Sequence, residues 1–174
     1  TPLLTALRDG FRRLAGKLTA LERRYLERQR AGGVIDATEL RKMMDESKKA
    51  IADEHYDVAE KTLIAIVSHD PKNVEAYETL GRMYFTQDKF NEAKESFEFL
   101  ARLAPKDASV LVSLGEVHEA MGDKATAYTY YSKGREASPN NPRYLDFFIE
   151  SAIEVGEFYE AQKAIDHLRE VNPV

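Results

Sequence analysis

The 174-residue chain contains no cysteine and no tryptophan. Without cysteine there are no disulfides, no thiolate nucleophile and no cysteine-bound metal. The compartment stays open, because a lack of cysteine suits a reducing cytoplasm without requiring one. No apolar run reaches the roughly 20 residues of a membrane-spanning helix, and no signal-peptide core is visible. Glycine and proline are scarce, at nine and six. The histidines are His55, His69, His118 and His167; none lies three or four residues from another, so no helical metal pair exists. Gly32-Gly33 is not followed by a phosphate-loop lysine pattern, and no serine sits in a nucleophile-elbow setting. Carboxylates are plentiful but read as solvated helix faces. Together these absences point away from an enzyme and predict neither cofactor nor metal.

What remains is 32% charged and 10% aromatic, the mix of a soluble, helix-rich globular chain. Its dominant signal is a repeat of 34 residues. Pro71, Pro105, Pro139 and Pro173 keep this interval, as do Ala59, Ala93, Ala127 and Ala161. Two further columns follow it: Leu63, Phe97, Tyr131, Ile165 and Met43, Tyr77, Leu111, Leu145. Within a repeat the apolar residues recur at three- and four-residue steps, which predicts paired helices. Thr86 to Lys89 forms the polar break of one pair; Gly122 and Gly156 fall in the same break further on, where positive φ ends a helix. Each proline follows a second helix, and Asn73, Asp107 and Asn141 stand at N-cap positions.

The stretch 77–105, with Tyr77, Leu80-Gly81, Tyr84, Ala93, Phe97 and Pro105, resembles a tetratricopeptide repeat. So does Leu111, Leu114-Gly115, His118, Ala127, Tyr131, Pro139, and, worn, Leu145, Phe148, Ala152, Ala161, Ile165, Pro173. An earlier repeat keeps Ala59, Leu63, Ile66 and Pro71 but carries Glu46 where Leu80 and Leu114 align. The resemblance covers about residues 37–174, in repeats at about 40–73, 74–107, 108–141 and 142–174. It implies an all-α, right-handed α-solenoid of antiparallel helix pairs, here with an extra N-terminal amphipathic helix. Ile149 replaces glycine at the Gly81/Gly115 column, so looser or shifted packing is expected there. His118, in the column of Tyr84, should be partly buried and hydrogen-bonded; His69-Asp70, beside a turn, should be exposed.

Residues 1–31 read as a basic helical arm and 32–36 as a Gly-rich joint. Leu4, Leu7, Phe11, Leu14, Leu18, Leu21 and Tyr25 form an apolar seam at heptad steps. Over residues 1–30 eight bases face three acids, a surplus of five; against a whole-chain charge of -5, the remainder carries -10. Three readings stand side by side. The seam packs on the first repeat as a cap, pairs with a second chain as a short coiled coil, or lies on an anionic membrane surface through Arg8, Arg12, Arg13 and Lys17. Because the sequence starts at Thr1, a membrane anchor ahead of the arm is expected in the parent protein, with the repeats on the cytoplasmic side. Asp36 with Glu39 signals the first repeat helix.

The resemblance also implies that the first helix of each pair lines a concave, partner-binding surface. Helical phase then assigns Arg41, Met44, Asp45 and Lys48 to it, followed by Glu75, Glu78, Thr79, Arg82 and Phe85. Further along come Ser109, Val112, Ser113, Glu116 and Glu119, then Arg143, Asp146, Phe147, Glu150 and Glu154. Acids outnumber bases on this surface. Some family members clamp a peptide's terminal carboxylate with Lys and Asn, and the residues here do not form that set. The expected function is a non-catalytic scaffold or adaptor holding a protein or peptide, of basic character, in an acidic groove. The alternative is a self-assembling or membrane-associated structural protein that uses the N-terminal helix or the last repeat. Nucleic acid is not an expected partner, since the arm lacks a reader motif and the acidic body repels a polyanion.

Overall fold

The computed structural model describes residues 36–172. The arm with its seam, the Gly32-Gly33 joint and Pro173 lie outside the described residues. Among the described residues there are eight α-helices and no strand. They are α1 (Ala37–Ala52), α2 (Tyr56–His69), α3 (Val74–Thr86), α4 (Phe90–Leu103), α5 (Ala108–Ala120), α6 (Lys124–Ala137), α7 (Pro142–Val155) and α8 (Phe158–Val171). The chain divides into two compact units, parted between Met83 and Tyr84 within α3. In the N-terminal unit α1 packs on α2. In the C-terminal unit α4 packs on α5, α5 on α6, α6 on α7 and α7 on α8. No described helix is long and apolar enough to cross a membrane.

Local chemistry sets the helix starts. Asp36 Oδ1 accepts the Glu39 amide at 2.9 Å and opens α1. Asn73 accepts from Ala76 N at 2.9 Å, and Asp107 from Ser109 N at 2.9 Å. Asn141 accepts from Arg143 N at 3.1 Å, with Pro142 in the first turn. Each cap satisfies an amide with no partner inside its helix, worth about 1 kcal/mol. The turns inside the pairs share one backbone: Glu54 (φ 59°), Asp88 (φ 56°), Gly122 (φ 81°) and Gly156 (φ 86°) are all left-handed. These four keep the 34-residue interval. The glycines were legible as turn formers; Glu54 and Asp88 adopt the same conformation at a steric cost that glycine avoids.

The repeating columns are the core. Ala59, Ala93, Ala127 and Ala161 are buried, as are Leu63, Phe97 and Tyr131. At Gly115 an added Cβ would lie 2.5 Å from Tyr131 Cε1, so the ring occupies the place a side chain would take. In the last pair the arrangement is exchanged. Ile149 stands at the glycine column and the smaller Ile165 at the tyrosine column, both in one apolar cluster with Phe148 and Ala161. Volume is redistributed between facing helices, and Ile149 is buried.

The Glu46 anomaly has a structural cause. On α7 the same column holds Phe148, buried against α6 with the Arg135 guanidinium 4.0 Å from its ring centroid and Tyr128 at 5.5 Å. Leu80 and Leu114 are likewise buried. On α1 that face carries Lys42, Glu46 and Lys49, all exposed, where α5 has Val110, Leu114 and Val117, all buried. A charged face open to water suits the boundary of a repeat array.

Candidate partner-binding face

In the N-terminal unit, α1 and the start of α3 flank a cleft of ≈ 500 Å³. Arg41, Asp45, Lys48 and Glu75 contribute charge to it, while Leu40 and Met44 contribute apolar surface. Lys48 Nζ donates to Glu75 Oε1 at 2.6 Å, tying α1 to α3. This bond first, and the charge of Glu75 second, hold the Lys48 ammonium above the usual lysine range. On α3, Arg82 pairs with Glu78 one turn earlier at 3.1 Å, and Thr79 is half-buried. The face is therefore self-neutralising: Arg41, Lys48 and Arg82 against Asp45, Glu75 and Glu78. Met44 is buried, its sulfur 3.8 Å from Ser47 Oγ.

The C-terminal unit is different. Glu119, Asp146, Glu150 and Glu154 are exposed and Glu116 is half-buried, with Arg143 as the base on the same helices. Lys124, from α6, reaches Glu154 at 3.2 Å. Behind this face Tyr131 donates its hydroxyl to Glu119 Oε2 at 2.6 Å. Burial, that hydrogen bond and the charges of Glu119, Glu116 and Glu150 push the phenol pKa far up, so the hydroxyl keeps its proton. Phe147 stacks on the Tyr131 ring, centroids 5.3 Å apart and 7° from parallel. The Arg143 guanidinium carbon lies 5.4 Å from the Phe147 centroid, and its Nη2 lies 4.0 Å from Glu116.

Of the residues assigned to the groove by phase, Val112 and Ser113 are buried, and Ser109 and Phe85 are half-buried. Phe85 meets Phe90 edge-on at 5.6 Å. Val112 turns inward because Gly134 opposite has no side chain: a Cβ there would lie 2.7 Å from Val112 Cγ2. Tyr131 was legible only as a core column, yet its hydroxyl orients Glu119. That role spans two helices and leaves no local trace in the sequence. Arg8, Arg12, Arg13 and Lys17 lie outside the described residues.

His118 is half-buried as expected, with Nδ1 3.3 Å from Asp123 Oδ2 and its ring stacked on Tyr130 at 5.4 Å. Asp123 also caps α6 at Thr126 N. Hydrogen bonds from Thr126, then from His118, hold its carboxyl below the usual range. His69, expected to be exposed, is half-buried. Among the described residues no group of three or more His, Cys, Asp or Glu could hold a metal ion.

Residues 79–142 match the family model of the tetratricopeptide repeat. Among solved structures, the chain is similar to a crystal structure of MamA, at 23% identity over 78% of this chain and 80% of that one, with a TM-score of 0.69. A second crystal structure of the MamA protein is 22% identical over 97% of this chain and 91% of that one, TM-score 0.67. PilF of Pseudomonas aeruginosa is 16% identical over 100% of this chain and 80% of that one, TM-score 0.67. Likeness at such identities is one of fold: an all-α array of helix pairs.

Proposed function

We propose that this chain, which matches the tetratricopeptide-repeat model over residues 79–142 and shares the fold of helix-pair arrays, is a protein-interaction scaffold that binds a basic, partly apolar protein segment on the first-helix face of its C-terminal unit. The observation that carries this reading is the imbalance between the two units. Lys48, Glu75, Glu78 and Arg82 cancel one another in paired contacts. Glu119, Asp146, Glu150 and Glu154 are exposed together, beside the half-buried Phe147. An acidic field draws a cationic segment and steers its approach; the aromatic ring adds apolar contact. The cleft beside Met44 offers a more neutral surface of its own.

Titration of the full chain with a synthetic peptide library tests this. Basic-apolar peptides should bind, and binding should weaken steeply as salt shortens the screening length from about 10 Å at 0.1 M to about 3 Å at 1 M. Asp146→Lys with Glu150→Lys should abolish binding with little change in melting temperature, because both side chains face water. Selection of acidic peptides, or binding indifferent to salt, would overturn the reading.

A further inference from the structure

Arg143 sits where a ligand's cation would sit. It is the base among Glu116, Glu119, Asp146, Glu150 and Glu154 on α5 and α7, and its side chain is 73% exposed. Its guanidinium lies over Phe147 at 5.4 Å and reaches Glu116 at a loose 4.0 Å. The cradle beneath it is far better fixed than the arginine. Phe147 is half-buried and stacked on Tyr131, which is 1% exposed, and Tyr131 is anchored to Glu119 at 2.6 Å. A rigid aromatic surface flanked by carboxylates is suited to a planar cation, which stacks on the ring and donates to oxygen. The chain's own guanidinium therefore reports what the cradle accepts, through contacts weak enough to exchange.

We propose that Arg143 is an internal competitor, occupying the Phe147–Glu116 cradle in the unbound chain and yielding it to an arginine side chain of the bound segment. The inference rests on the reading of this face as an acidic peptide-binding surface, and it adds a selectivity. Arginine should be preferred to lysine, because the guanidinium both stacks and bridges while an ammonium is a point charge. It also identifies a brake, since a ligand must displace Arg143 before it gains the cradle, which lowers the apparent affinity.

The test uses the full chain and two labelled peptides, one alternating arginine and leucine, the other lysine and leucine, read by fluorescence anisotropy. Arg143→Ala should tighten the arginine peptide about 5-fold or more and widen its lead over the lysine peptide. Lys124→Ala removes the same charge from the same face but leaves the cradle intact. It should tighten both peptides equally and by less, reporting the bulk field alone. Phe147→Leu in the Arg143→Ala background should erase the arginine preference, with circular dichroism confirming the fold. If the parent chain binds in a salt-sensitive way but Arg143→Ala gains no more than Lys124→Ala, internal competition is wrong while the acidic face stands. If no variant binds either peptide, both readings fall.

Discussion

Lys48 on α1 and Glu75 on α3 meet at 2.6 Å, and two repeat periods further along the same two positions are Glu116 and Arg143, with the signs exchanged and the gap at 4.0 Å. The rung is thus a property of the repeat, set by where successive first helices bring their side chains. The residue types decide its sign, its tightness and whether it exists: one period on from Lys48 and Glu75 the positions are Arg82 and Ser109, which offer no opposite charges. This is why the two units differ in electrostatic character although they share one backbone plan.

The Lys48 rung makes a pH prediction. Its ammonium is held above the usual lysine value by the Glu75 hydrogen bond and charge. A pKa raised by folding means a contribution that is complete below the unfolded value, about 10.5, and is lost as pH climbs through the folded one. Urea denaturation between pH 9 and 12 should therefore show the parent chain losing stability faster than Lys48→Met above roughly pH 10.5. Parallel curves would show that the pair is not populated in solution.

The left-handed turns offer a stabilising change. Glu54 and Asp88 adopt φ values of 59° and 56°, which glycine accepts without strain. Glu54→Gly and Asp88→Gly should each add about 1 kcal/mol of stability, less the entropy glycine adds to the unfolded chain, read as a higher urea midpoint at unchanged slope. Conversely, Gly122→Ala and Gly156→Ala should lose about 1 kcal/mol each. Nothing lies within 4 Å of a Cβ at either glycine, so that loss would be the backbone conformation alone.

At Gly115 the effect is steric. A methyl there meets the Tyr131 ring at 2.5 Å, and the ring, stacked on Phe147, has no room to withdraw. Alanine gains about 1 kcal/mol of helix propensity, but overpacking costs typically 1–3 kcal/mol, so Gly115→Ala should lower the melting temperature. Combining Gly115→Ile with Tyr131→Ile copies the native pairing of Ile149 and Ile165, and should lose less than the two single changes added together. Simple additivity would show that the two sites do not share the space.

Ala93 is fully buried in α4. Ala93→Glu places an unpaired carboxyl where helices touch and should cost several kcal/mol, read as a collapse of the cooperative thermal transition. Ala93→Ser should be mild. An unchanged melting temperature in the glutamate variant would place Ala93 on the wrong face.

What the sequence disclosed was governed by neighbours a few residues apart. Asn73, Asp107 and Asn141 could be read as caps because a side chain of that length reaches only its own next turn. The alanine column could be read because a small residue recurring every 34 positions marks a close helix contact that every repeat must make. Harder features depend on a partner from another helix. Val112 looked like a groove contact until Gly134 opposite left room for it, and Tyr131 looked purely apolar until its hydroxyl met Glu119. Glu54 and Asp88 hid their turn geometry because only glycine advertises it. Glu46 was visible as an oddity, and its meaning required the exposure of Lys42 and Lys49 beside it.

That charged face on α1 gives the array a direction of growth. A helix pair grafted ahead of Ala37 at the natural spacing would set its apolar second helix against Lys42, Glu46 and Lys49, and the junction would stay wet. An engineer extending the array on that side must rewrite these three positions first. The Ala76, Leu80 and Met83 set, buried in the next repeat, is a ready template: Lys42→Ala, Glu46→Leu and Lys49→Met would convert a boundary into a splice site, at the risk of making the unextended protein stick to itself.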